Sequence, residues 1–499
     1  MDLLIIGGFL VFVIWLYFSR NPLQHSRKFM IRRFWNWFPM GMTYAFLYMA
    51  RYNLNVSKNA FGDLMTKEDF GIIFAAGTIT YGLSFLLNGP LVDKIGGKKG
   101  IIIAALGSSL CNMMMGIATF VYLRGTIKLN LTLTFSILYA MNMFFQSYGA
   151  VSIIKVKAYW FHVRERGIFG AIFGTLISFG VYFAFDWGEA IVKATKLQNE
   201  NPTAFAQFLR SALAIETGTT DATWFVFFIP SAILVFWALI DMWILKDTPS
   251  QANFEDFDTH DASSDEMDKE FTIRQLLHRI FTSPILLTIS LIEFCGGVLR
   301  NGIMQWYSIF AKEIPQIGAE VFTRHWGLWL CVAGILGGFT AGSMSDVFFQ
   351  SRRGPPVAIC NFVMFLCMLL MSALLFTSPW TIGFCAIAMQ FAVIGVHSLM
   401  SGTAAADFGG RKATATAAGI VDGFVYLGSG VQSLSLGFLV TKDWQYWPLF
   451  LVPFTVIGFV LSLKIWKSLP EATKRYMASI QVLEVKTVRR FSIRWKKPT

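Results

Sequence analysis

Apolar runs long enough to cross a bilayer as helices recur along this chain. They lie at 35–60, 69–92, 99–123, 131–155, 166–187, 223–245, 284–311, 326–349, 356–376, 380–402, 412–440 and 446–466. Polar positions within them are sparse and keep no period of two, so the pattern predicts helices and not strands. A shorter run, LLIIGGFLVFVIWLYF at 3–18, comes first. Asp2 precedes it and Tyr17-Phe18 closes it, whereas a cleaved leader needs a basic start and small residues at its end. It reads as an uncleaved extra helix with Met1 outside. The expected fold is an all-α polytopic membrane protein of twelve core spans plus one N-terminal helix.

Composition points the same way. Of 499 residues, 55% are hydrophobic and 14% charged, which would leave a soluble globule with more apolar surface than it can hide. The net charge of +12 does not signal nucleic acid, because the cations cluster in short connections. The clusters are Lys94, Lys98 and Lys99; Lys155, Lys157, Arg164 and Arg166; Arg352 and Arg353; Arg411 and Lys412; and a tail from Lys464. They occupy alternate loops, the asymmetry that places the basic side in the cytoplasm. The core N-terminus, after Arg20, Arg27, Lys28, Arg32 and Arg33, and the C-terminus are expected on that side. All of Cys111, Cys295, Cys331, Cys360, Cys367 and Cys385 lie in apolar runs, where packing is their ordinary use. No metal, cofactor or nucleic acid is expected; the chain reads as a monomer in a lipid bilayer.

The expected division is an extra helix and basic linker at 1–33, a first six-helix bundle at 34–245, a cytoplasmic linker at 246–283, a second bundle at 284–466 and a basic tail at 467–499. Residues 188–222 read as an external insertion, and the tract EDFDTHDASSDEMDKE at 255–270 as a solvated part of the linker. The halves echo each other. GPLVDKIGGKKG (89–100) follows the second core span and GSMSDVFFQSRRGPP (342–356) the eighth. Each offers a Gly for close helix approach, an Asp (Asp93, Asp346) at the cytoplasmic mouth and then a basic cluster. Two copies at equivalent places indicate the parallel repeats of a secondary transporter.

Charges inside the apolar runs carry the chemistry. A charge at the bilayer centre costs about 2.5–3.5 kcal/mol on insertion scales, so it faces a protein interior or a watery cavity. Arg51 lies in the first core span, Glu293 and Arg300 in the seventh, and Asp422 in the eleventh. Glu293 and Arg300 are two helical turns apart, with about 10 Å of rise between them, and share a face. Arg51 and Arg300 come from helices that are pseudo-symmetry mates in a two-repeat carrier. Two planar guanidiniums suit the oxygens of a phosphate monoester. The plainer readings are snorkelling for Arg51 and a structural pair with Glu293 for Arg300. Glu293 and Asp422 are expected to hold the arginines in the empty carrier or to titrate. Lys155 is a cytoplasmic anchor or a further charge-balancing group, and His397, on an apolar face, reads as helix packing.

Several stretches resemble the major facilitator superfamily and, within it, the organophosphate:phosphate antiporters, on the hexose-phosphate branch. These are Arg51-Tyr52-Asn53, Ile79-Thr80-Tyr81-Gly82, Phe144-Phe145-Gln146-Ser147, Glu165-Arg166-Gly167, Lys246-Asp247-Thr248-Pro249, Arg300-Asn301-Gly302-Ile303-Met304-Gln305-Trp306, and Ala417-Ala418-Gly419 with Tyr426-Leu427. The resemblance implies two six-helix bundles with pseudo-two-fold symmetry and exchange of a phosphate ester, of hexose-phosphate or glycerol-3-phosphate type, for inorganic phosphate by rocking of the halves. It implies no enzyme activity. Arg51 and Arg300 become the phosphate ligands, Tyr48, Tyr81, Gln146, Asn301 and Trp306 the wall, and Asp93 and Asp346 the gating loops. A bacterial inner membrane is the expected location. Phe85 stands where the family usually has a Lys, and Ile177 where it has a His, which keeps two alternatives open: a transporter-like membrane sensor of sugar phosphate, or a proton-coupled carrier of another organic anion.

Overall fold

The computed structural model describes residues 2–195, 222–257, 273–408 and 410–467 apart from isolated positions. The side chains at 166–171, 346 and 402–418 also lie outside the described residues, as do most of the 188–222 insertion, the acidic tract and the tail. The described secondary structure is helical throughout. In order come α1 (Asp2–Ser19), α2 (Arg27–Phe61), α3 (Lys67–Ile95), α4 (Gly97–Leu123), α5 (Leu131–Trp160) and α6 (Arg166–Tyr182). A π-helical turn at Phe183–Trp187 leads into α7 (Gly188–Thr195), followed by α8 (Phe225–Ile244). The second half runs through α9 (Ile273–Thr282), α10 (Pro284–Met304), α11 (Trp306–Glu313), α12 (Trp326–Phe348), α13 (Gly354–Leu374), α14 (Pro379–Phe408), α15 (Gly410–Lys442) and α16 (Tyr446–Lys464). Among the described residues, eleven spans are long and apolar enough to cross a membrane by length and composition. The first core span, α2, is not one of them. Arg51, Asn53 and Asn55 lower its hydropathy, yet all three are buried, because this helix faces the protein interior and not lipid.

Two local devices explain the helix ends. Ser26 caps α2 by accepting from the Phe29 amide at 3.2 Å, so helix begins within the expected basic linker. The seventh span, expected as one helix over 284–311, breaks at Gln305. The Trp447 indole donates to the Gly302 carbonyl at 2.7 Å and the Trp326 indole to the Met304 carbonyl at 3.0 Å. Two carbonyls of the last turn of α10 thus find partners outside the ladder.

α3 packs along α15, α5 also reaches α15, and α6 packs on α12; these contacts join the halves. Along the first of these seams glycines bring backbones together: a Cβ on Gly71 would stand 2.6 Å from the Ser433 carbonyl and one on Gly82 2.8 Å from the Gly423 carbonyl. The end of the molecule away from the basic loops is sealed. Lys67 meets Glu313 at 2.8 Å and lies 4.9 Å from the Trp444 ring, and both oxygens of Asp186 accept from the first amides of α12, Gly327 and Leu328, at 2.9 and 3.0 Å.

At the basic-loop end, Asp247 accepts from the Lys98 amide at 2.8 Å, and Gly96 turns the chain with φ +92° directly against that carboxylate. The extra helix α1 lies on α6. It is tied in through Tyr17, whose hydroxyl donates to the Met30 carbonyl at 2.7 Å and accepts from Arg33 Nε at 3.0 Å. Arg33 then forks onto Glu165, two bonds of 2.8 Å, with both side chains buried.

Candidate functional site

Arg51 sits in the second half of α2 with no exposed surface. Its Nε donates to Gln146 Oε1 at 2.9 Å and its Nη1 to the Tyr426 hydroxyl at 2.8 Å, while Nη2 has no partner. Three phenol rings surround the guanidinium, Tyr81 at 4.5 Å, Tyr48 at 4.7 Å and Tyr426 at 5.4 Å. Their faces supply negative quadrupole without negative charge. The snorkelling reading is excluded, since a buried guanidinium does not reach a surface.

Behind Arg51 stands a ladder of amides. Gln146 Nε2 donates to Ser108 at 3.0 Å and to Asn142 Oδ1 at 3.2 Å, and Asn142 and Asn112 both donate to the Ala50 carbonyl at 3.1 Å. The Tyr139 hydroxyl donates to the Arg51 carbonyl at 3.3 Å, so with its side chain bonded from one flank and the backbone around it held from the other, Arg51 has little freedom to swing.

Arg300 is 5% exposed, and its Nε has no partner. Its guanidinium lies 6.0 Å from the centre of the same Tyr48 ring. The two arginines, one from each half, therefore share one phenol and are no further apart than the sum of those two distances. Each retains a buried N–H without an acceptor. Among the described residues these are the features of a site built for an anion: a buried donor left unpaired is costly, and an oxyanion that accepts from both removes the cost.

The remaining candidate residues divide. Tyr48, Tyr81 and Gln146 touch Arg51 directly. Asn301 is buried beside the pair, its Oδ1 3.5 Å from the Tyr52 hydroxyl. Trp306 stands apart: it packs on Phe70 and Trp444, and Phe70 is eleven residues from Tyr81 on α3, about 16 Å of helical rise. It belongs to the sealed wall and not to the guanidinium site. Lys155 is likewise distant, nine residues along α5 from Gln146, about 13 Å. It is bonded to Asp93 at 3.0 Å, a contact within the first half that holds α3 to α5. Asp346 falls on α12, with its side chain outside the described residues.

Glu293 does not pair with Arg300. Its Oε2 lies 2.8 Å from His397 Nδ1 on α14, and its Oε1 is buried without a partner. His397, read from sequence as packing, is thus a polar partner, and its side chain keeps 31% exposure while Glu293 keeps 1%. Asp422 faces the same pair, with Ser401 beside it. Phe85, in place of the family's Lys, is fully buried against Tyr81 and Tyr426, with ring centres at 4.8 and 6.3 Å. Aromatic packing fills the space a third cation would take. Sequence reasoning gave neither Tyr426 nor the amide ladder a role at the site; the spacing of Asn142 and Gln146, four apart on one helix face, was the available signal.

Comparison with known proteins adds an independent line. Residues 40–433 match the family model of the Major Facilitator Superfamily. The membrane sensor protein UhpC of Salmonella typhimurium is 24% identical over 82% of this chain and 85% of its own length. The hexose-6-phosphate:phosphate antiporter of Escherichia coli is 25% identical over 84% of this chain and 85% of its own. Among solved structures, a bacterial homologue of the human lysosomal transporter Spinster, in an inward-facing and unoccupied conformation, superimposes with a TM-score of 0.63 at 13% identity, covering 89% of this chain and 98% of that one.

Proposed function

The chain belongs to the major facilitator superfamily, and on that premise we propose that this multi-pass membrane protein carries a small phosphate ester across the bilayer in exchange for inorganic phosphate. The observation that carries the reading is the pair of buried arginines, one per half, each with an unpaired N–H and sharing the Tyr48 ring. The phosphoryl group binds between Arg51 and Arg300, taking bidentate, charge-assisted hydrogen bonds. Tyr48, Tyr81 and Asn301 line it, and Gln146 holds Arg51 in place. Bridging both halves, the anion draws them together and so favours closure.

Exchange follows from electrostatics. Closing the site without an anion leaves the Arg51 and Arg300 N–H groups unpaired in the interior, a cost that the bound oxyanion removes, so the loaded form crosses more readily than the empty one. The halves rock about α3, α6, α12 and α15, with Lys67–Glu313 and the Asp186 cap opening at one end and the ends of α3 and α12 that carry Asp93 and Asp346 at the other. The basic loops, the core N-terminus and the C-terminus face the cytoplasm, and the chain acts as a monomer without cofactor.

A competition panel tests this. With labelled inorganic phosphate as the transported species in proteoliposomes, glucose 6-phosphate or glycerol 3-phosphate should compete, and unphosphorylated glucose should not; competition by glucose alone would sink the reading. A second reading, a sensor that binds sugar phosphate without turnover, is favoured by Phe85 in the cation's position and by the similarity to a sensor. Binding without counterflow would select it.

A further inference from the structure

Glu293, His397 and Asp422 form a titratable cluster that phosphate binding alone does not use. They converge from α10, α14 and α15, and Glu293 lies two turns along α10 from Arg300. Glu293 Oε2 is 2.8 Å from His397 Nδ1. Glu293 Oε1 and Asp422 Oδ1 are both buried without a hydrogen bond, an expensive state for an ionised carboxylate. His397, which alone of the pair keeps substantial exposure, gives the cluster its accessible surface. The other polar or charged groups facing it are Arg300 from α10, Ser401 from α14 and Tyr48 from α2, and Tyr426 lies one helical turn along α15 from Asp422.

Counting charge shows the difficulty such a site must solve. Arg51 and Arg300 contribute two positive charges, and Glu293 and Asp422 two negative ones. With the imidazole neutral, the five groups cancel and leave nothing with which to balance a dianion. Each proton added to the His397 ring or to a carboxylate restores one positive charge beside Arg300. Resting on the phosphate reading above, we propose that the Glu293–His397–Asp422 cluster is a proton-binding site that fills from water through His397 as the anion binds and empties as it leaves. No bond but N–H or O–H forms, and the proton is exchanged with solvent. The empty carrier then holds a neutral site in place of a doubly charged one, which eases its return and permits net uptake of anion together with protons beside strict exchange.

The test is calorimetric titration of the full-length protein with inorganic phosphate between pH 6 and 8, in buffers of different ionisation enthalpy. The slope of heat against ionisation enthalpy gives the protons taken up per anion bound, and subtracting the phosphate's own ionisation leaves the protein's share. Wild-type protein should take up a substantial fraction of a proton or more, and its affinity should fall several-fold across this range as pH rises. Asp422→Asn mimics the protonated carboxyl: it should bind phosphate at least as tightly, with smaller uptake and a flatter pH profile. His397→Gln should also lower the uptake, so the inference survives a folding failure of either variant. Binding with uptake unchanged in both variants overturns this inference alone; no binding of phosphate to the wild-type protein overturns the phosphate reading and this inference with it.

Discussion

At the scale of single residues, the two arginines are held differently. Arg51 is braced by Gln146 and Tyr426, whereas Arg300 Nε is left without a partner beside Tyr48. Replacing either by Lys keeps the charge and loses the planar fork. Arg300→Lys should therefore weaken phosphate binding by about tenfold or more, or about 1.4 kcal/mol and upward, with little change in thermal stability. Arg51→Lys should lower both, since its cross-half bond to Tyr426 belongs to the class worth about 1.5–3 kcal/mol. Titration calorimetry and thermal unfolding separate these outcomes.

These two residues were legible in the sequence because a cation in an apolar run is too costly to keep facing lipid and must meet an anion or a watery cavity. His397 was not: its partner is 104 positions away, and a lone His on an apolar face is most often packing. The amide ladder was hidden for a similar reason, as Asn and Gln in a helix gain meaning only from what stands opposite.

Elements bring a second set of consequences. Most spans were legible from apolar length, down to the extra helix, but the break at Gln305 was not, because it depends on indoles from α12 and α16 reaching carbonyls of α10. The fork of Arg33 on Glu165 joins α2 to the start of α6 with α1 attached through Tyr17. Burial pushes the Glu165 carboxyl up, but the nearby His25, the hydrogen bonds and charge of Arg33 and the His162 amide outweigh it and hold the group at about 2. An unfolded Glu titrates near 4.3. The stabilisation is therefore complete above that pH and is lost as pH falls through about 2.

Glu165→Gln leaves Arg33 buried without its anion, at a cost of about 3–5 kcal/mol. It should lower the melting temperature near neutral pH and abolish this contribution to acid sensitivity; an unchanged melting temperature would show that the fork does not hold these helices together. The α3–α15 seam makes another prediction. Gly71→Ala forces a methyl against the Ser433 carbonyl, so it should disfavour the state closed at the Lys67–Glu313 end. A cysteine introduced at Glu313 should label faster in that background.

For the whole molecule, two six-helix halves meet along α3–α15 and α6–α12, and each contributes one buried arginine to the centre. The two-half design was readable from the echo between 89–100 and 342–356 and from the alternation of basic loops. What the sequence could not convey was the packing of the centre, where Phe85, Tyr81 and Tyr426 pack together and Glu293 pairs with His397 and not with Arg300. The most direct measurement of the anion's bridging role is counterflow. Proteoliposomes loaded with labelled inorganic phosphate should release it rapidly when hexose phosphate is added outside, slowly when it is absent, and hardly at all with Arg300→Gln. Release that is indifferent to external phosphate ester, or unaltered in that variant, would contradict the account.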